Sequence, residues 1–516
     1  FRSEGRVKKA GTYGSLRYTL DRLTFTAALR YDRHHSQALP VDVPAGPFIG
    51  QRHYDGLDKL PLYQDITPRF GAALDLFGNG RTALRGSWGR YLVGLGGGAL
   101  SSLSPSLAVV TSASRLWFDN PANRLIGGTN FFTGVQGDGD FVPDCDLNNF
   151  AANGECGPLN AGGFGVSNPA FTWDDRARTG WGVREYSYQW SAELQHELRP
   201  GLGVNVGYYH TAFHNQQVRV DTSLAASDFN SFCVTTPNDT RLGSASGQQV
   251  CGLYDRTLAS LSKRPSNVWY RLQDVPIDGL TGEPKESFSG VEFAMNWRFD
   301  KGALLAGGLS LGQTKTDRCF ANNFPQILAL GQQGAAGQTT LSGGDTNPAI
   351  PRNSDYCNNS AESLWNSGQS QVKFQAVYPL PADFVVSGAF KHLAGVNRGV
   401  DVVYSNSDVA SSLGRNLSAC GNVTGACGTL QTIAVERPGD LKDDRLTQVD
   451  LRVQRRFNLA GARLSGVFEV YNVMNTRTPQ SSFETYGTLS AVNPSYYRPS
   501  VLLGGRLFKF GAQVDF

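Results

Sequence analysis

The sequence predicts an all-β fold, a transmembrane antiparallel β-barrel with short periplasmic turns and long extracellular loops, on three observations. First, many segments of about ten residues alternate strictly between apolar and polar side chains, giving one apolar and one polar face. Second, the connections between these segments are short and long in turn. Third, charged residues make up only 18% of the 516 positions, against roughly 25% in an average soluble domain, while glycine (60 residues) and aromatics (11%) run high. Mean hydropathy is −0.28, and no run approaches the roughly 18 apolar residues of a membrane helix. A barrel is compatible with that value, because lumen-facing residues dilute lipid-facing ones.

Tyr13 to Leu20 passes through Asp21-Arg22 into Leu23 to Tyr31, and a polar loop follows. Phe70, Ala72, Leu74 and Leu76 alternate with Arg69, Gly71, Ala73 and Asp75, then Gly78-Asn79-Gly80 turns the chain into Thr82 to Tyr91. Residues 92–183 form a very long loop. Tyr186, Tyr188, Trp190, Ala192 and Leu194 then oppose Ser187, Gln189, Ser191, Glu193 and Gln195, and Arg199-Pro200-Gly201 leads into Val204, Val206 and Tyr208. Val291 to Phe299 turns through Asp300-Lys301-Gly302 into Leu305 to Leu311. Val372 to Tyr378 turns at Pro379 to Ala382 into Phe384 to Phe390, and Val449 to Val453 turns at Asn458 to Gly461 into Leu464 to Tyr471. The last stretch, Val501 to Phe516, alternates from Phe508 onward and ends on an aromatic side chain, as a final barrel strand does.

A soluble sandwich would place turns every 8 to 12 residues at both ends. Loops of tens of residues without a helical period count against a compact soluble domain. The strand count is about thirteen, whereas single-chain bacterial barrels have an even number with both ends in the periplasm. Opening on Phe1, with no charged-then-apolar leader, the chain is expected to be processed or to be the C-terminal part of something larger.

The segments Arg445 to Arg452 (RLTQVDLR), Phe468 to Asn475 (FEVYNVMN), Arg498-Pro499 and the terminal aromatic strand resemble the C-terminal signature of TonB-dependent outer-membrane receptors. Leu23 to Asp32 and Thr67 to Gly71 look like barrel strands of that family, especially of the subgroup with an N-terminal carboxypeptidase-regulatory-like domain. The resemblance covers most of the strands. It implies a barrel of about 22 strands around a plug, in the outer membrane of a Gram-negative bacterium. Residues 1–516 would then be the C-terminal portion of the barrel, without recognisable plug, TonB-contacting segment or roughly nine further strands. The partners implied are outer-membrane lipid, the TonB system through the missing N-terminal part, and an unknown extracellular ligand.

Eight cysteines fall two to a loop, and nearest-neighbour pairing is the simplest of the 105 pairings possible: Cys145 with Cys156, Cys233 with Cys251, Cys319 with Cys357, and Cys420 with Cys427. All lie on the expected extracellular side, where disulfides persist. Each closed loop stabilises by roughly 2 to 4 kcal/mol. Zinc would call for paired C-x-x-C motifs or nearby histidines, and neither is present.

Gly137 to Asn148 gathers Asp138, Asp140, Asp144 and Asp146 around a proline and a cysteine. Carboxylates at alternating positions suit a hard cation such as Ca2+, and the DGDFVPDCD core, Asp138 to Asp146, resembles thrombospondin type 3 calcium repeats. The spacing is not that of an EF-hand, and an acidic solvated loop is the alternative reading.

Catalytic signatures are missing. His196-Glu197 lacks a second histidine, Gly243 to Gly247 has alanine where a nucleophile elbow needs serine, and the glycines from Gly94 to Gly98 precede no lysine. A net charge of +3, with only Arg6 to Lys9 as a basic run, gives no nucleic-acid footprint. Tryptophans and tyrosines such as Trp88, Trp181, Trp190 and Tyr208 fit aromatic girdles. The expectation is therefore a receptor that imports a ligand in a TonB-dependent manner. A non-transporting adhesin or anchor is the alternative from another class, and a passive porin the third.

Overall fold

The computed structural model describes residues 4–46, 49–95, 104–106, 108–119, 130, 132–160, 164–167, 172–263, 266–299, 302–329, 349–358, 364–365, 367, 369–437, 439–459 and 461–515. Phe516, Asp300 and Lys301 of one expected turn, and Gly96 to Gly98 lie outside the described residues.

Thirteen strands follow one another in a single sheet, each next to its sequence neighbour. They are β1 (Gly5–Leu20), β2 (Leu23–Ala38), β3 (Leu62–Asp75), β4 (Thr82–Leu92), β5 (Tyr186–Arg199), β6 (Leu202–His214) and β7 (Lys285–Arg298). The others are β8 (Leu304–Asp317), β9 (Gln371–Leu380), β10 (Phe384–Leu393), β11 (Leu446–Leu459), β12 (Ala462–Tyr471) and β13 (Leu507–Asp515). A short fourteenth strand, Thr179–Trp181, lies parallel to Leu62 to Gln64 of β3. All the expected strands are present, and most run several residues further toward the long loops than their apolar alternation extends. Backbone pairing continues there after the lipid-facing pattern has stopped.

The tight turns rest on local chemistry. Asp75 closes the β3–β4 turn by accepting the N–H groups of Gly78 at 3.0 Å and Gly80 at 2.8 Å. Gly201, with φ of 82°, turns β5 into β6. A side chain there would meet the Arg298 carbonyl at 2.7 Å.

Register places charge against charge on the polar face. Arg452 of β11 stands opposite Glu469 of β12, which stands opposite Lys509 of β13. Glu469 contacts the two cations at 3.5 and 3.1 Å. Phe468 stacks on Phe508 and Phe510 on the other face, with ring centroids 6.2 and 5.0 Å apart. A similar aromatic row crosses Phe25, Phe70, Trp88 and Tyr188 on β2 to β5.

The last strand begins at Leu507, one residue before the alternation that starts at Phe508. Pro499–Leu502 pairs with Pro479–Ser482 in a separate two-stranded sheet, and Leu503 donates its N–H to Thr478. Gly504-Gly505 separates that pairing from β13. The stretch from Val501 onward therefore contributes to two strands in two sheets.

The described chain divides into two compact units. One comprises residues 1–11, 32–65 and 94–183. It holds the hairpins Val41–Val43 with Arg52–Tyr54 and Ser114–Trp117 with Cys156–Asn160, the one-turn helix α1 (Asp175–Arg178), and a small core of Ala38 and Leu60 against Leu57 and Trp173. The other comprises residues 12–31, 66–93 and 184–516, with most of the sheet and four long loops.

Candidate functional site: the extracellular loops

The described residues of the larger unit's long loops are folded. Residues 215–284, 318–370, 394–445 and 472–506 together supply one apolar core. Phe232, Leu242 and Leu253 come from the first, Ala349 from the second, Val402, Tyr404 and Ile433 from the third, and Tyr486 and Tyr496 from the last. A second cluster joins Val218, Val220 and Tyr270 to Ala321 and Ile327. Burying such side chains contributes about 1.5 to 3 kcal/mol apiece, which offsets the entropy of ordering long connections. We call this module the cap.

Each cap element has a local cause. Asp401–Ser405 is flanked by Leu430–Ala434 and Thr485–Thr488 in a three-stranded sheet. Helix α2 (Asn406–Leu413) starts at Ser405, whose hydroxyl accepts the Asp408 N–H while Asp408 accepts the Ser405 N–H, and ends at Gly414 in the left-handed region. This helix was not apparent from the sequence, because eight residues with only Asn406 and Val409 buried, one of them polar, make a weak apolar period. Disulfides join Cys233 to Cys251, Cys319 to Cys357, and Cys420 to Cys427.

Polar side chains stitch the loops to one another. The buried Arg352 guanidinium donates to the carbonyls of Ala321, Phe324, Pro325 and Ile327 at 3.1, 2.9, 3.3 and 2.7 Å, and burial pushes its pKa down to about 10. Tyr356 donates to the Val435 carbonyl at 2.7 Å, and Tyr486 to the Asp239 carboxylate at 3.0 Å. Bonds from Arg241 and Tyr486 hold the Asp239 carboxyl well below the usual range.

The acidic loop belongs to the smaller unit. There Cys145 is joined to Cys156. The residues that converge are Asp119, Asp138 and Glu155, with one carboxylate oxygen of each within 4.8 Å of the others. Of the four aspartates expected as ligands, only Asp138 is in this group. Asp140, Asp144 and Asp146 are not brought into it: Asp140 and Asp146 accept N–H groups two residues on, from Val142 at 2.7 Å and Asn148 at 2.9 Å. Burial, and the charges of Asp138 and Glu155, hold the Asp144 carboxyl above its ordinary value.

Glu155 is only 1% exposed and accepts from Trp117 Nε1 and the Asp144 N–H, both at 3.1 Å, and from the Asp138 N–H at 3.2 Å. Asp119 accepts the N–H groups of Gly139 and Phe141 at 2.9 and 3.0 Å. Gly154 permits the approach, since a side chain there would sit 1.9 Å from the Asp144 carbonyl. Glu155 had a sequence signal, its place beside the bridged Cys156; Asp119, ahead of the acidic loop, had none.

On the polar face of the sheet, a cleft of about 780 Å3 carries Arg81, Arg85, Glu197, Glu292 and Lys373. No helix among the described residues is long and apolar enough to cross a membrane.

These features are those of an outer-membrane barrel with folded extracellular loops. The pattern of the outer membrane beta barrel domain matches residues 20–303, more than half of the chain, and the chain belongs to that family. Its place is the outer membrane of a Gram-negative bacterium. Among solved structures it is similar to the FrpB iron transporter from Neisseria meningitidis, at 8% identity and TM-score 0.41, covering 99% of this chain and 46% of that one. It is also similar to the siderophore receptor PiuA from Acinetobacter baumannii, at 9% identity and TM-score 0.41, covering 99% of this chain and 43% of that one. The outer membrane transporter YddB from Escherichia coli matches at 9% identity and TM-score 0.41, covering 98% of this chain and 54% of that one. The chain thus spans about half the length of these structures. No curated protein matched the sequence.

Proposed function

We propose that the chain is the C-terminal part of the barrel of a TonB-dependent receptor, in the subgroup with an N-terminal carboxypeptidase-regulatory-like domain. It captures a ligand with its extracellular loops and imports it at the expense of the inner-membrane proton gradient. The observation that carries this reading is the cap, in which four loops share one core and present a preorganised surface. The strand signature from Arg445 to Asn475 supports the family assignment. An adhesin would use the same cap without TonB, and a porin would leave its loops clear of the pore.

Co-purification of the product of the intact reading frame with the periplasmic domain of TonB tests the reading without knowledge of the ligand. Retention comparable to that of a receptor run in parallel is expected. Absence of retention beside a positive control would favour the adhesin or porin.

We also propose that Asp119, Asp138 and Glu155 hold a calcium ion. All three offer oxygen ligands, as a hard cation requires, and water or backbone carbonyls would complete the six to eight. Calorimetry of the intact protein with calcium chloride is expected to give saturable heat that the Asp138→Asn, Glu155→Gln double variant loses. If no heat appears at millimolar calcium, the acidic solvated loop stands.

A further inference from the structure

A second cavity, of about 270 Å3, lies where β5, β6, β7 and β8 run out into the cap, with Glu185, Phe213, Gln216, Pro284, Glu286 and Arg318 on its wall. Glu185 directly precedes β5 and accepts the Gln217 N–H at 3.0 Å. Glu286, the second residue of β7, accepts from Gln216 Nε2 at 3.3 Å. Arg318 directly follows β8, anchored by its own N–H on the Cys357 carbonyl at 2.8 Å. Its half-buried guanidinium makes no ion pair or hydrogen bond with any described residue.

That guanidinium stands in the field of Glu286 without touching it, and burial lowers its pKa. Five N–H donors in a fixed fork are costly to leave unmatched in a recess, and a carboxylate matches them two at a time. Across the cavity, Glu185 and Glu286 present two carboxylates, and burial, with the charge of Glu286 nearby, raises the Glu185 pKa. A cation beside them would relieve that repulsion. The cavity is smaller than most drug-sized sites, so its occupant must be small.

We propose that this cavity binds a small zwitterion, an amino acid or dipeptide, whose carboxylate pairs with Arg318 and whose ammonium group sits between Glu185 and Glu286. The inference gives a ligand class to the receptor reading and rests on it for its role in uptake.

The test is calorimetry of the intact gene product in detergent micelles with three probes: the dipeptide Ala-Ala, its N-acetylated form and its C-terminal amide. Saturable binding of Ala-Ala is expected, weakened at least tenfold by removal of either terminal charge. Arg318→Gln should weaken Ala-Ala at least tenfold yet leave the amide unchanged, and Glu286→Gln should do the same with respect to the acetylated form. Arg318→Lys, which retains the charge, should restore part of the affinity and so separate lost pairing from lost folding. Equal affinity for the three probes, or no saturable heat with Ala-Ala, overturns the proposal. Retention by TonB is measured independently, so a failure here leaves the receptor reading standing or falling by its own experiment.

Discussion

Asp255 and Arg415 meet across 160 positions of sequence, with guanidinium Nη1 2.5 Å from Oδ2 of a carboxylate that is fully buried. Ser418 adds its N–H to Oδ2 at 2.9 Å and its hydroxyl to Oδ1 at 2.8 Å. Arg415 reaches back to Asn230 and to the Arg256 carbonyl, both at 2.9 Å. One carboxylate thus fastens the end of α2 to the hairpin of another loop. Removing one partner of a buried pair strands the other, at a cost of about 3 to 5 kcal/mol.

Asp255→Ala should therefore loosen the cap while leaving the sheet intact. In hydrogen exchange, amides of Asp401–Ser405 and Leu430–Ala434 should lose protection, and those of β5 to β8 should not.

Glu436 makes the cap sensitive to pH. It is buried, and burial pushes its carboxyl up to about 7. The Ser244 hydroxyl, 3.3 Å from Glu436, works against that rise, and the negative charge of Asp440 adds to it. The folded pKa is raised above the unfolded value, so the stabilisation is fully present below about pH 4.5 and is lost as pH rises through about 7. Asp401, pushed up to about 6 by burial beside Glu484, acts in the same direction. Protease resistance of the cap should fall between pH 5 and 8, and Glu436→Gln should flatten part of that fall.

The disulfide from Cys233 to Cys251 ties the two strands of one cap hairpin, Phe229–Thr235 and Gln249–Arg256. Replacing both cysteines by serine should lower cap stability by about 2 to 4 kcal/mol, read as cleavage within residues 229–256 at lower protease concentration. Alkylation without a reductant should label none of the eight cysteines of the wild-type protein.

Phe510 is 77% exposed on the face opposite Lys509. That face meets lipid, so Phe510→Arg should destabilise by about 2 to 4 kcal/mol, measured by urea unfolding in bilayers. Lys509→Gln, on the polar face, should cost far less, since an exposed ion pair contributes about 0 to 1 kcal/mol.

The strands, their tight turns and the two-per-loop grouping of cysteines were legible because each depends on residues close in sequence. Alternation from Tyr186 to Gln195, Gly78-Asn79-Gly80, and Cys420 seven positions before Cys427 are all local patterns. The acidic loop was half legible. Its aspartates were visible, but only Asp138 of the four meets Asp119 and Glu155, which lie outside the run of aspartates.

By itself the sequence determined a membrane barrel, because period-two alternation between lipid and lumen is imposed strand by strand. Only the tertiary structure decided how the long loops fold. The cap core, Asp255 with Arg415, and the cavity at Glu185, Glu286 and Arg318 unite positions many tens of residues apart in loops that have no periodicity to reveal a buried face. Such side chains acquire their roles from burial and mutual distance, and those exist only once the chain has folded.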